Sequence, residues 1–252
     1  PTTFSKGDIE FHNVSFSYSS DTPLLSAFNL LIPAGKTTAF VGATGSGKTT
    51  IINLIGRFYE INSGKITING IDLNQLNRSE INKHIGFVLQ DVFLFSDTIH
   101  NNITLGNPTI TREQVVMAAK QIGAHEFIMK IPKNYDYVIG ERGGVLSVGQ
   151  RQLLAFIRAM VYEPVILILD EATSSIDSES EILIQKAIAE VTKNRTSIII
   201  AHRLSTIQQA DQIHVMEKGQ IIQTGTHSTL LSVVGTYKTL FEKQFNELDE
   251  KV

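Results

Sequence analysis

Cysteine is missing from all 252 residues. Disulfides and thiolate metal sites are therefore excluded, and a reducing compartment is permitted. A surplus of positive charge is missing too: 22 basic residues stand against 25 acidic ones, a net charge of −3. Nothing electrostatic points to nucleic acid as the main partner. Long hydrophobic runs are also lacking. Runs such as Val165 to Leu169 and Ile198 to Ala201 have the length of buried strands, and none approaches a membrane span of roughly 18 residues. No signal peptide, internal repeat or low-complexity linker is visible. The chain opens on Pro1, not methionine, which suggests a segment of a longer polypeptide.

What remains is an ordinary globular composition, 42% hydrophobic and 19% charged. A chain of this length buries roughly three quarters of the surface its unfolded form exposes, so it needs no staple. Residues 8–19, "DIEFHNVSFSYS", place Ile9, Phe11, Val14, Phe16 and Tyr18 in strand-like alternation. "LLSAFNLLI" reads as another strand, and Asn69-Gly70 and Lys218-Gly219 as hairpin turns. "VILILDEA" and "TSIIIAHR" are apolar without alternation, as in a parallel sheet covered on both faces.

Helical patterns fill the middle, from Thr98 to Tyr162, with Thr111 and Gln114 spaced as a capping box. "SESEILIQKAIAEVTKN" predicts an amphipathic helix burying Ile182, Ile184, Ala187, Ile188 and Val191, and residues 229–252 a helical tail. The expected fold is α/β: a mainly parallel core over about 1–90 and 164–252 with an antiparallel β subdomain, and a helical subdomain over about 91–163.

The strongest motif is "GATGSGKT". Gly42-x-x-x-x-Gly47-Lys48-Thr49 follows a predicted strand and opens a predicted helix, the context that a phosphate-binding loop requires. Glycines let the backbone curl so that its N–H groups face inward, and the helix N-terminus adds partial positive charge. Gly42, Thr44, Gly45, Ser46, Gly47, Lys48, Thr49 and Thr50 are the candidate phosphate contacts, with the Thr49 hydroxyl suited to Mg²⁺. Asp170 and Glu171 end a buried strand, where open α/β sheets bind ligands. Asp170 suits a metal ion and Glu171 an attacking water; two helix-capping acids are the plainer alternative.

With these motifs in this order, the chain resembles the nucleotide-binding domain of ATP-binding cassette (ABC) transporters. Gly42 to Thr49 looks like the Walker A loop, and Val165 to Glu171 like Walker B with its catalytic glutamate. Leu146 to Gln150, "LSVGQ", is similar to the family signature, with Val148 where a glycine is usual. A positive φ at that site would strain valine. Gln90 resembles the Q-loop glutamine, "SSID" (174–177) the D-loop, His202 the switch histidine, and "GERG" (140–143) a segment of the exporter branch.

The resemblance implies an ATPase that uses ATP and Mg²⁺, with Lys48, Gln90, Glu171 and His202 catalytic and Thr49, Gln90 and Asp170 holding the metal. Tyr18 would stack on adenine, although packing in a strand serves a tyrosine equally well. Ser147, Gly149 and Gln150 would contact the ATP held by a second copy of the domain; simple capping by Ser147 is the alternative. Further implied partners are transmembrane domains at the cytoplasmic face of the cell membrane, docking near Phe93, Leu94 and Phe95, with no nucleic acid. A soluble ABC-type ATPase of translation or DNA repair is the competing reading. It usually carries tandem cassettes, coiled-coil insertions or basic patches, and none is seen here.

Overall fold

The computed structural model describes residues 7–19, 23–140, 146–170, 178–201 and 204–249. Its first half runs β1 (Ile9–Phe16), β2 (Leu25–Ile32), β3 (Thr37–Val41), α1 (Lys48–Ile55), β4 (Ser63–Ile68), β5 (Ile71–Asp72), α2 (Arg78–His84) and β6 (Ile85–Val88). Helices follow: α3 (Ile99–Thr104), α4 (Arg112–Gln121), α5 (His125–Met129) and α6 (Val148–Tyr162). The chain then forms β7 (Ile166–Asp170), α7 (Ser178–Thr192), β8 (Thr196–Ile200), α8 (Leu204–Gln208), β9 (Gln212–Glu217), β10 (Gln220–Gly225), α9 (His227–Leu231) and α10 (Thr236–Asp249).

Two compact units divide these elements. The first holds the chain up to Ile85, the strand beginning after Val165, and everything from Asn194 onward. It contains an antiparallel sheet in the order β2-β1-β4-β5 and, from the second sheet, the strands β10-β9-β3-β8-β7 in that order. In that second sheet β3 pairs in parallel with β8 and β9, and β7 pairs in parallel with β8.

The local chemistry explains both sheets. β8 is buried along its whole length, as its unbroken apolar run requires. In β1, Ile9, Phe11, Val14 and Phe16 are buried, and the alternation slips by one residue at Asn13. A register irregularity lies there, and Asn13 takes φ 49°, a left-handed conformation that asparagine tolerates. Phe11 and Phe28 meet edge to face across β1 and β2 at 5.8 Å.

The second unit is helical and is organised by α6, which packs on α3, α4 and α7. Arg158 on α6 donates through Nε and Nη2 to the Asn102 carbonyl, and the Tyr162 hydroxyl donates to the Thr104 carbonyl at 2.7 Å. These bonds satisfy carbonyls at the end of the short α3. Thr111 and Gln114 form the expected capping box.

α7 buries Ile184, Ala187, Ile188 and Val191, but Ile182 is 71% exposed because it falls off that face. By its contacts, α7 groups with the helical unit. The described part of the tail is helical as expected, in α9 and α10.

Candidate nucleotide-binding site

Strand β3 delivers the chain to Gly42 from between β8 and β9. Gly42 has φ +148°, and any Cβ there would collide with the Met216 carbonyl oxygen on β9. Gly45 and Gly47 also have positive φ, +79° and +106°. The three glycines bend the chain into a loop that ends at α1, and a substitution at any of them is strained.

Gly47 is the N-cap of α1 and has no side chain to offer, and the first turn of α1 carries no acid. The leading N–H groups of the helix thus have no side-chain cap, which leaves them suited to an anion. Lys48 is buried, and its Nζ donates to the carbonyl oxygens of Gly42 at 2.7 Å and Ala43 at 3.0 Å. The ammonium therefore lies over the loop.

Asp170, the last residue of β7, belongs to the same unit. Burial pushes its carboxyl pKa up, opposed by the charge of Lys48. Burial likewise pushes the Lys48 ammonium down, opposed by Asp170. Two opposite charges are each held against their own desolvation, with the mutual attraction the weaker effect.

The Tyr18 hydroxyl lies 3.1 Å from Thr50 Oγ1 on α1, and Asn53 Nδ2 reaches that hydroxyl at 3.5 Å. Its ring is held edge-on by Phe16 at 4.8 Å and Tyr59 at 5.0 Å, yet Tyr18 remains 52% exposed. An anchored aromatic that keeps half its surface exposed can take a flat ring.

In the helical unit, Ser147 is the N-cap of α6 and forms a capping box. Its Oγ accepts from the Gln150 N–H at 3.1 Å, while Gln150 Oε1 accepts from the Ser147 N–H at 3.0 Å. Val148 is the first helical residue and is absent from the positive-φ positions, so valine is unstrained there. Gly149 is buried, and Gln90 is exposed after β6. Phe93 and Phe95 are 70% and 52% exposed and touch edge to face at 5.0 Å, but Leu94, expected beside them on the surface, is 4% exposed. The Asn102 side chain accounts for this by pinning the backbone at Phe95: Oδ1 accepts from its N–H at 2.7 Å and Nδ2 donates to its carbonyl at 3.0 Å.

The first unit thus brings Tyr18, Gly42 to Thr50 and Asp170 into one structural body. Gln90, Ser147, Gly149 and Gln150 lie in the other. Glu171, His202, the 174–177 segment and Glu141 to Gly143 lie outside the described residues.

The sequence reading missed the backing of the loop. The turn after β9 packs against it, and the Gly219 N–H donates to the Ser46 carbonyl at 2.9 Å. The Lys218-Gly219 turn signal was legible, but its neighbour was not.

Among the described residues, no cluster of three or more His, Asp or Glu side chains could hold a metal by itself. The donor set fits Mg²⁺ all the same. That ion is usually held by one or two protein oxygens with substrate phosphates and water, and the exposed Thr49 and the partly buried Asp170 are such oxygens.

A parallel sheet, a glycine loop leading into an uncapped helix, and a lysine folded over that loop define a P-loop nucleoside-triphosphatase fold. The comparisons with known proteins narrow this. Residues 25–174 match the ABC transporter family model, and the chain belongs to that family. It is 49% identical over 241 residues to an uncharacterized ABC transporter ATP-binding protein, YfiC, of Bacillus subtilis (strain 168), covering 96% of this chain and 40% of the relative. It is also 49% identical over 245 residues to a putative multidrug export ATP-binding/permease protein of Staphylococcus aureus (strain NCTC 8325 / PS 47), covering 97% and 42%. A solved bacterial Atm1-family ABC exporter with ATP bound superposes with a TM-score of 0.89 at 38% identity, over 96% of this chain and 42% of that one. The chain therefore spans about two fifths of the length of these relatives.

Proposed function

We propose that this chain is the ATP-binding and ATP-hydrolysing domain of an ABC exporter, joined in the whole protein to transmembrane domains at the cytoplasmic face of the cell membrane. The observation that carries the ATP reading is the cradle: a glycine loop closed over the buried Lys48 and opening onto the uncapped N-terminus of α1. The exporter reading rests on relatives described as export ATP-binding/permease proteins and on the Atm1-family neighbour. No helix among the described residues is long and apolar enough to cross a membrane, so such spans would lie elsewhere in the polypeptide.

The division of labour follows from the chemistry of each group. Backbone N–H groups of residues 42–50 hold the phosphates, and Lys48 exchanges its loop carbonyls for phosphate oxygens. Tyr18 offers its exposed ring to the adenine. The Thr49 hydroxyl and the Asp170 carboxylate, with Gln90, would hold Mg²⁺, which when bound neutralises charge on the phosphate oxygens. Glu171 orients the attacking water and takes its proton, and His202 keeps the γ-phosphate and that water in line.

The α6 N-terminus, with Ser147, Gly149 and Gln150, completes the site of a second nucleotide-binding domain, so two copies enclose two ATP head to tail. In this scheme the regions proposed as core and β subdomain carry the cradle, and the helical subdomain carries the signature. Fluorescent-nucleotide binding tests the cradle directly: Lys48→Ala should weaken ATP binding at least tenfold, and unchanged affinity would remove the cradle from the scheme.

A further inference from the structure

Two hairpin turns in the first unit share one backbone geometry. In the β4–β5 turn Asn69 and Gly70 have φ 50° and 74°; in the β9–β10 turn Lys218 and Gly219 have φ 47° and 74°. Both fit the two-residue turn that needs left-handed residues at each central position. Their surroundings differ completely. Gly70 is exposed, and a Cβ added there would meet nothing within 4 Å. Gly219 is buried, and a Cβ there would collide with the Leu24 carbonyl oxygen ahead of β2.

The buried turn is seated on the phosphate loop. Gly219 N–H donates to the Ser46 carbonyl at 2.9 Å. A Cβ placed on Gly47 would lie 3.5 Å from the Gly219 Cα and 3.3 Å from Met216 Cε. At the other end of the loop, Gly42 abuts the Met216 carbonyl so closely that no Cβ fits. The β9–β10 hairpin therefore contacts both glycines that delimit the cradle.

Peptide planarity gives the contact at Ser46 a consequence. In a trans peptide the C=O and the following N–H point in opposite directions. Tying the Ser46 carbonyl to Gly219 turns the Gly47 N–H the other way, away from the hairpin. That N–H stands at the N-cap of α1, among the donors an anion at this helix end would use. Released from the brace, the 46–47 peptide could rotate and present a carbonyl oxygen, which repels phosphate.

We infer that Gly219 is a positioning residue for nucleotide binding: by holding the Ser46 carbonyl, it fixes the phosphate loop in its anion-accepting orientation. The inference rests on the cradle binding nucleotide, as proposed above. Gly219 touches no substrate; it acts through Ser46 and Gly47.

The test compares Gly219→Ala with Gly70→Ala. Both substitutions impose the same left-handed strain in the same kind of turn; the first also drives a Cβ into the Leu24 carbonyl, which must shift the turn and its N–H away from Ser46, whereas the second meets nothing. Titration with MgADP is expected to show affinity reduced about tenfold in Gly219→Ala, the factor that loss of one net hydrogen bond can produce, with Gly70→Ala within twofold of the unaltered chain. Equal affinity in the two variants overturns the inference.

A second measurement needs no variant, in case Gly219→Ala does not fold. In the unaltered chain, the Gly219 amide should already exchange slowly with D₂O and slow further with MgADP, while the Gly70 amide does not respond. A Gly219 amide that exchanges freely, or ignores nucleotide, overturns the inference. If the unaltered chain fails to bind MgADP, the nucleotide reading itself fails; if it binds and only the Gly219 effects are missing, the brace alone is wrong.

Discussion

Asp170 and Lys48 show a site built at the expense of stability. Because the Asp170 pKa is raised on folding, the native state binds its proton more tightly than the unfolded chain does. The stability penalty grows as pH rises through the ordinary carboxylate range toward the raised value, and it stays in force at neutral pH. Asp170→Asn should therefore raise the melting temperature of the nucleotide-free protein at pH 7 and reduce the further rise that MgATP gives. Scanning calorimetry with and without MgATP checks both signs, and a lower nucleotide-free melting point would contradict the desolvation account.

His214 gives the opposite pH dependence. It is buried on β9 beside Phe40, with Nδ1 2.9 Å from Thr224 Oγ1 on β10. Burial pushes its pKa down to about 4, so the folded state keeps it neutral. Its contribution to stability is complete above the unfolded value of about 6.5 and is lost as pH falls from there toward about 4. Between pH 7 and pH 5 the loss amounts to about 2 kcal/mol. Urea denaturation at the two pH values should show it, and His214→Gln should flatten the dependence.

At the scale of elements, α6 is the test case. Val148 occupies the first helical position after a capped Ser147, in ordinary helical backbone. Glycine, usual there in the resembled family, has lower helix propensity than valine. Val148→Gly should thus cost about 0.5 kcal/mol, with no strain to relieve. A rise in thermal stability on that substitution would show the valine to be strained after all. Ser147→Ala removes one capping-box acceptor and should cost about 1 kcal/mol by the same assay.

The capping box at Thr111 and Gln114 was legible because a cap is a contact three residues long. The exposure of Ile182 was not. A helical pattern tells which residues share a face, but a neighbour decides how wide the buried stripe is, and here α6 packs on α7. The burial of Leu94 between two exposed phenylalanines depended in the same way on Asn102, eight residues further on.

At the scale of the whole molecule, the functional unit proposed above is two copies. If each ATP is enclosed by the cradle of one domain and the α6 N-terminus of another, specific ATPase activity should rise with protein concentration in the dilute range. Constant specific activity would mean that one chain completes its own site. Glu171→Gln should nearly abolish turnover, keep ATP binding, and accumulate an ATP-bound dimer detectable by size-exclusion chromatography with light scattering.

The sequence alone determined what is local: the glycine loop before a helix, the apolar parallel strands, the two hairpin turns and the helix caps. Each is set by the φ/ψ range, hydrogen bonding or periodicity of a few adjacent residues. The tertiary structure decided what depends on distant partners. It showed that Gly42 is glycine because Met216 stands against it, 174 residues on. It also seated one of two equivalent turns on the phosphate loop and set Lys48 and Asp170 at odds with their own burial. Such facts rest on packing between segments far apart in the chain, and no local pattern of residue types encodes which segments will meet.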